Sequence, residues 1–106
     1  MTGPAAGGDR PVRVEVVVRG RVQGVGFRMF AARMAIDRGL TGWVANEPDG
    51  SVRCVAQGSR PDLEAFTRDL AAGPPGATVE RLAISWSEAV DGLDRFAIRS
   101  GWHGGD

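Results

Sequence analysis

The stretch from Val12 to Arg19 constrains the fold most. Val12, Val14, Val16 and Val18 alternate with Arg13, Glu15, Val17 and Arg19. A period of two in β-branched residues predicts a strand with one face turned to a core. A strand with one apolar face needs a second layer against it. The chain must therefore supply partner strands and a covering layer within 106 residues, the length of one domain.

The periodicities that follow supply both. Phe27, Phe30, Ala31, Met34 and Ala35 recur at helical spacing, and Gly39 stands where a helix would be closed. Leu40 to Asn46 and Ser51 to Gln57 read as strands. Between them, Glu47-Pro-Asp-Gly50 is a turn signal, so the pair reads as a hairpin. Ser59, ahead of Pro61 and Asp62, suits an N-cap, and Leu63, Phe66 and Leu70 form the apolar stripe of a second helix. Gly73-Pro-Pro-Gly76 ends it. Val79 to Ser87 is a further strand, with Leu82, Ile84 and Trp86 on one face, and Arg95 to Arg99 is a short last one. The order is β-α-β-β-α-β, an α+β pattern that puts two helices on one face of an antiparallel sheet. Residues 1–10 are small, Gly-rich and aperiodic, and read as a disordered leader. The domain occupies residues 11–99, and residues 100–106 read as a flexible tail.

Composition narrows the chemistry. All 13 basic residues are arginine, balanced by 13 acidic ones. A Walker-type or Schiff-base lysine is impossible, and a zero net charge lacks the field of a general nucleic-acid binder. Cys54 is the one cysteine and His103 the one histidine, so no disulfide, His/Cys metal cluster or Ser-His-Asp site is expected. Cys54 shares its strand face with Val52 and Ala56 and reads as a small buried hydrophobe; His103 belongs to the tail. No apolar run reaches the ~18–20 residues of a membrane span, and no signal-peptide pattern is present, so a cytoplasmic protein is expected.

Two segments remain as carriers of chemistry. Gly20-Arg-Val-Gln-Gly-Val-Gly-Phe-Arg28 joins a strand to a helix N-terminus. Its glycines permit positive φ, and its amides with the helix dipole form a nest for a phosphate-sized anion. Arg28 offers a planar fork for two phosphate oxygens. As a bare Gly-rich turn the segment also fits simple turn chemistry: the Walker lysine and the third glycine of a dinucleotide fingerprint are missing. Asn46, the sole asparagine, ends a strand beside the turn. It is a turn residue, or an amide that accepts from a water while donating to an anion. Glu47 and Asp49 flank that turn, and an exposed turn gives neither a reason to act as acid or base.

Together these segments resemble the acylphosphatase family. Its first signature is matched by Gly20-Arg-Val-Gln-Gly-Val-Gly-Phe-Arg28. Its second is matched by Gly42-Trp43-Val44-Ala45-Asn46, Asp49-Gly50-Ser51-Val52 and Gly58. The resemblance covers about residues 12–99. It implies a ferredoxin-like sandwich and an enzyme that hydrolyses acyl phosphates to a carboxylate and phosphate. Arg28 would bind the phosphoryl group and Asn46 would orient the attacking water. Gln23, Gly24, Val25, Gly26, Phe27 and Arg28 would form the cradle. No metal or cofactor is expected. The partner is a small-molecule acyl phosphate, with inorganic phosphate or sulfate competing. Neither nucleic acid nor membrane is expected as a partner, and a monomer suffices. Two other classes stand against this. One is a non-hydrolytic module that holds an acyl or carbamoyl phosphate for a longer maturation enzyme; the short chain favours the free-standing hydrolase. The other is an RNA-recognition domain, which shares the element order but needs aromatics that the central strands lack.

Overall fold

The computed structural model describes residues 10–100. The tail expected at 101–106, with His103, and the leader up to residue 9 lie outside the described residues. Seven elements follow one another: β1 (Val12–Arg21), α1 (Phe27–Asp37), β2 (Thr41–Asn46), β3 (Val52–Gly58), α2 (Arg60–Ala72), β4 (Thr78–Glu88) and β5 (Phe96–Arg99). The ferredoxin-like order read from the sequence is present. Among the described residues, no helix is long and apolar enough to cross a membrane.

The sheet runs β4-β1-β3-β2-β5. β1 pairs antiparallel with both β3 and β4, and β2 pairs antiparallel with β3. β5 departs from the expected all-antiparallel sheet. It pairs parallel to β2, with Phe96 beside Gly42 and Ile98 beside Val44. The sheet is therefore mixed, with its one parallel pair at an outer edge.

Register decides which residues meet the helices. Val14, Val16 and Val18 stand beside Ala56, Cys54 and Val52 on β3, and all six are buried. With Val44, Phe27, Ala31, Ala35, Leu63, Phe66 and Leu70 they make the core. Phe66 meets Phe96 edge-on at 6.2 Å between ring centroids, tying α2 to the edge strand β5. The α1 stripe is rotated slightly from its expected position. Ala32 is buried, while Phe30 and Met34 are only half-buried. On β4, Leu82 and Trp86 are half-buried, but Ile84 is 42% exposed although it lies opposite the buried Val16. β4 is an edge strand with a neighbour on one side only, which leaves its middle less covered than the alternation suggests.

The helix ends follow local chemistry. Gly39 adopts φ 71°, with its N–H donating to the Ile36 carbonyl at 3.0 Å and the Leu40 N–H to the Ala35 carbonyl at 2.9 Å. This is a Schellman closure with the buried Leu40 as its apolar contact. Ser59 caps α2 as expected, its hydroxyl oxygen accepting from the Asp62 N–H at 3.3 Å. The guanidinium of Arg38, at the end of α1, grips the Asp69 carboxylate of α2 at 2.7 and 3.1 Å. That contact raises the Arg38 pKa further above its ordinary value.

Candidate active site

β1 runs two residues further than the sequence suggests and takes in Gly20 and Arg21. A bulge between Arg19 and Gly20 lets the strand continue against Val79 and Thr78. Gly20 sits there at φ 132°, where a Cβ would collide with the Thr78 carbonyl oxygen, so only glycine fits. The strand thus delivers the chain at its upper end, and residues 22–26 turn it sharply into α1. Gly24 and Gly26 both adopt φ 77°. Gly26 is the N-cap of α1 and lends it no side-chain bond, and the first turn of α1 holds no acidic residue. The two helix N-termini therefore differ: Ser59 and Asp62 close that of α2, while the α1 end carries only backbone donors and Arg28.

The second half of the site comes from the β2–β3 hairpin. Asn46 is the last residue of β2, stands opposite Val52, and is 4% exposed. A turn follows, closed by the Gly50 N–H on the Glu47 carbonyl at 3.1 Å and the Glu47 N–H on the Ser51 carbonyl at 2.9 Å. Asp49 secures it. Its Oδ1 accepts from the Ser51 N–H at 2.9 Å and from the Ser51 hydroxyl at 2.6 Å, and its Oδ2 accepts from Arg19 at 3.1 Å. These bonds hold the Asp49 carboxyl at a pKa of about 2, the Ser51 bonds first and Arg19 after them. The exposed turn does not leave Asp49 an ordinary carboxylate, and one so acidic is a poor base at neutral pH.

The two halves meet around one cavity of about 330 Å³. Gly24, Gly26, Phe27, Arg28 and Asn46 line it, together with Val22, Met29 and Ile98. Arg28 is fixed from the far side: its Nη1 donates to the Arg99 carbonyl of β5 at 2.8 Å. Arg99 is itself held, its guanidinium stacked 4.1 Å over the Trp43 ring on the opposite face of the sheet.

The remaining expected cradle residues, Gln23 and Val25, are not among the residues that line the cavity. Val25 packs against the core. Gln23 spends its side-chain amide on the hairpin, with Nε2 donating to the Glu47 carbonyl at 2.8 Å and the Ser51 carbonyl at 2.9 Å. It staples the glycine loop to the turn that carries Asn46. Sequence reasoning did not foresee this staple, nor Val22, Met29 and Ile98 as walls. Cys54 is fully buried, and burial pushes its thiol pKa up, so it offers no nucleophile. Among the described residues, no group of three or more His, Cys, Asp or Glu side chains could hold a metal ion.

An uncapped helix end, two left-handed glycines, an arginine fork and a buried amide converge on a space the size of a small phosphorylated molecule. Known proteins are similar to this chain in sequence and fold. The family model for acylphosphatase matches residues 14–98. The acylphosphatase of Syntrophotalea carbinolica is 48% identical over 91 residues, which cover 85% of this chain and 98% of that protein. The crystal structure of acylphosphatase from Bacillus subtilis superposes with a TM-score of 0.81 at 38% identity, over 83% of this chain and 98% of that one. The crystal structure of T. kodakarensis HypF matches with a TM-score of 0.76 at 33% identity, over 85% of this chain and 12% of that one. On the span of the family match and the identity to these relatives, the chain belongs to the acylphosphatase family, hydrolases of acyl phosphates.

Proposed function

We propose that Arg28 and Asn46 carry the hydrolysis of an acyl phosphate to a carboxylate and inorganic phosphate. The observation behind this reading is that both residues line one cavity with Gly24 and Gly26 at the open end of α1. An acyl phosphate is an anhydride whose carboxylate leaves readily, so the leaving oxygen needs little acid help. The demands are charge on the phosphoryl oxygens and a water in line. Arg28 and the amides of the Gln23–Arg28 segment meet the first demand, with Gln23 and Val25 fixing the shape of the cradle. The Asn46 carboxamide meets the second. Water attacks phosphorus, the bond to the acyl oxygen breaks, and both water protons leave on the phosphate.

Nothing in this chemistry calls for a metal or cofactor. The substrate is the one partner required; neither nucleic acid nor membrane takes part, and a monomer acting in the cytoplasm suffices. Phosphate and sulfate suit the same cradle and compete with substrate. The likeness to part of HypF favours one other reading, a module that holds an acyl or carbamoyl phosphate without cleaving it. Turnover separates the two.

The test is phosphate release from benzoyl phosphate by the wild type, Asn46→Ala and Asn46→Asp. A water-orienting amide predicts that Asn46→Ala loses orders of magnitude in kcat while the inhibition constant of phosphate hardly moves. Asn46→Asp keeps the shape but trades the NH₂ donor for a second acceptor and sets negative charge beside an anion. It is expected to be as inactive as Asn46→Ala, with an unchanged circular dichroism spectrum. An Asn46→Asp protein that keeps most of its rate and gains an acidic limb in its pH profile would point to base catalysis instead.

A further inference from the structure

Met29 and Ile98 are two exposed apolar walls of the active-site cavity that its phosphate chemistry does not use. Both are large, apolar and strongly exposed, Met29 at 65% and Ile98 at 40%. They also line a second hollow of about 320 Å³, between α1 and β5, together with Ala32, Arg33, Ile36 and Asp37. Ile36 is 61% exposed. Met29, Ala32, Arg33 and Ile36 follow helical spacing, so they share one face of α1. Ile98 stands beside the buried Val44 in the parallel pair, which turns it to the helix side of the sheet. The two hollows therefore share a wall, and an apolar strip leads from the anion cradle along α1.

We propose that this strip is the acyl-binding groove, and that it selects acyl phosphates with extended apolar chains. The inference rests on the acyl phosphate reading and adds the part of the substrate that the cradle cannot read. A phosphoryl group held by Gly24, Gly26 and Arg28 leaves its acyl oxygen facing the remaining walls, Met29 and Ile98. From there the groove runs to Ile36, about 10 Å away at 1.5 Å per residue of helix, which is room for an octanoyl chain. Continuity with the reaction cavity assigns the groove to the substrate's own tail. Met29, Ala32, Ile36 and Ile98 give it contact area without hydrogen bonds, and among the described residues Arg33 and Asp37 are its only polar lining, so length and apolarity are what its apolar walls can sense.

The experiment is a chain-length series, acetyl to octanoyl phosphate, on the wild type, Ile36→Gln and Ile36→Leu. A fully buried methylene is worth about fourfold, so an open groove should raise kcat/KM about twofold per methylene, chiefly through KM. Ile36→Gln should leave acetyl phosphate turnover unchanged, which also reports that the variant is folded, and should lose several-fold of the octanoyl advantage. Ile36→Leu should restore it. Acetyl phosphate turnover with a flat chain-length series in the wild type overturns the groove and leaves the acyl phosphate reading standing. The same holds if Ile36→Gln keeps the full octanoyl advantage. A flat series accompanied by concentration-dependent dimerisation assigns the face to a second copy and overturns the proposal. Failure to turn over any member of the series overturns the underlying reading and the groove with it.

Discussion

Gln23→Ala removes a side chain that binds the glycine loop to the hairpin turn, and its cost can be worked bond by bond. Two neutral hydrogen bonds are lost, at 2.8 Å to the Glu47 carbonyl and 2.9 Å to the Ser51 carbonyl. Neither carbonyl is orphaned. Glu47 O still accepts from the Gly50 N–H, and Ser51 O from the Glu47 N–H. The penalty for a bare buried acceptor is therefore avoided. Each bond is worth about 0.5–1.5 kcal/mol net, so the loss should total about 1–3 kcal/mol. For a domain of this size that lowers Tm by roughly 4–24 °C. Gln23→Glu should be worse, since a carboxylate cannot donate and would face two carbonyl oxygens.

The same staple sets the distance between the cradle and Asn46, so the change should reach catalysis. Small misplacement of a reacting group can cost about a hundredfold. A loosened rather than displaced hairpin should cost about tenfold in kcat, with the inhibition constant of phosphate moving less. Thermal unfolding and steady-state kinetics on benzoyl phosphate test both parts. An unchanged Tm refutes the staple. A lowered Tm with full kcat refutes the coupling to Asn46 and leaves Gln23 a purely structural residue.

Arg28→Ala should nearly abolish turnover and weaken phosphate inhibition. Arg28→Lys should recover little, because a point charge cannot reproduce a fork anchored on the Arg99 carbonyl; wild-type kcat and KM in either variant would remove Arg28 from the site. Asp49 has a folded pKa near 2, below the ordinary value of about 4. Its ionised form therefore stabilises the turn above about pH 4, and that contribution is lost as pH falls towards 2. The Tm gap between wild type and Asp49→Asn should be constant from pH 7 to about 5 and close by pH 2, and a gap that widens in acid would reverse the sign. Phe66→Ala should cost about 3–5 kcal/mol, because the ring is fully buried and meets Phe96 edge-on; urea unfolding measures it, and a loss under 1 kcal/mol would mean the core closes over the gap. Activity should survive EDTA, and a loss restored by Mg²⁺ would move the mechanism to metal-assisted hydrolysis.

What was legible in the sequence was what local pattern encodes. The valine alternation of β1, the glycine punctuation of the loop, the Glu47–Gly50 turn and the Ser59 cap each depend on residues within a few positions of one another. Each appears in the structure. The burial of Cys54 followed from the same alternation. The features that escaped join distant parts of the chain. The Gln23 amide finds its partners some 24 and 28 residues on, across the β2–β3 hairpin. Asp49 owes its acidity partly to Arg19, an ordinary strand arginine until β1 and the hairpin are side by side. The exposure of Ile84 depends on β4 lying at an edge, which alternation within one strand does not encode.

Met29 shows most clearly why the site was only half readable. By helical spacing it falls off the buried stripe of α1 and looks like a stray surface apolar residue. It becomes a wall of the site only because β5 enters parallel to β2 and sets Ile98 beside Val44. The same strand supplies the Arg99 carbonyl that anchors Arg28. The phosphate end of the site is built from one contiguous loop and can be read as a string. The acyl end exists only where α1 and the last strand meet, and a short strand near the end of a chain carries no local mark of the neighbour it will choose. Chemistry that recurs across substrates is thus placed in local sequence, while the surface that tells substrates apart is assembled by topology.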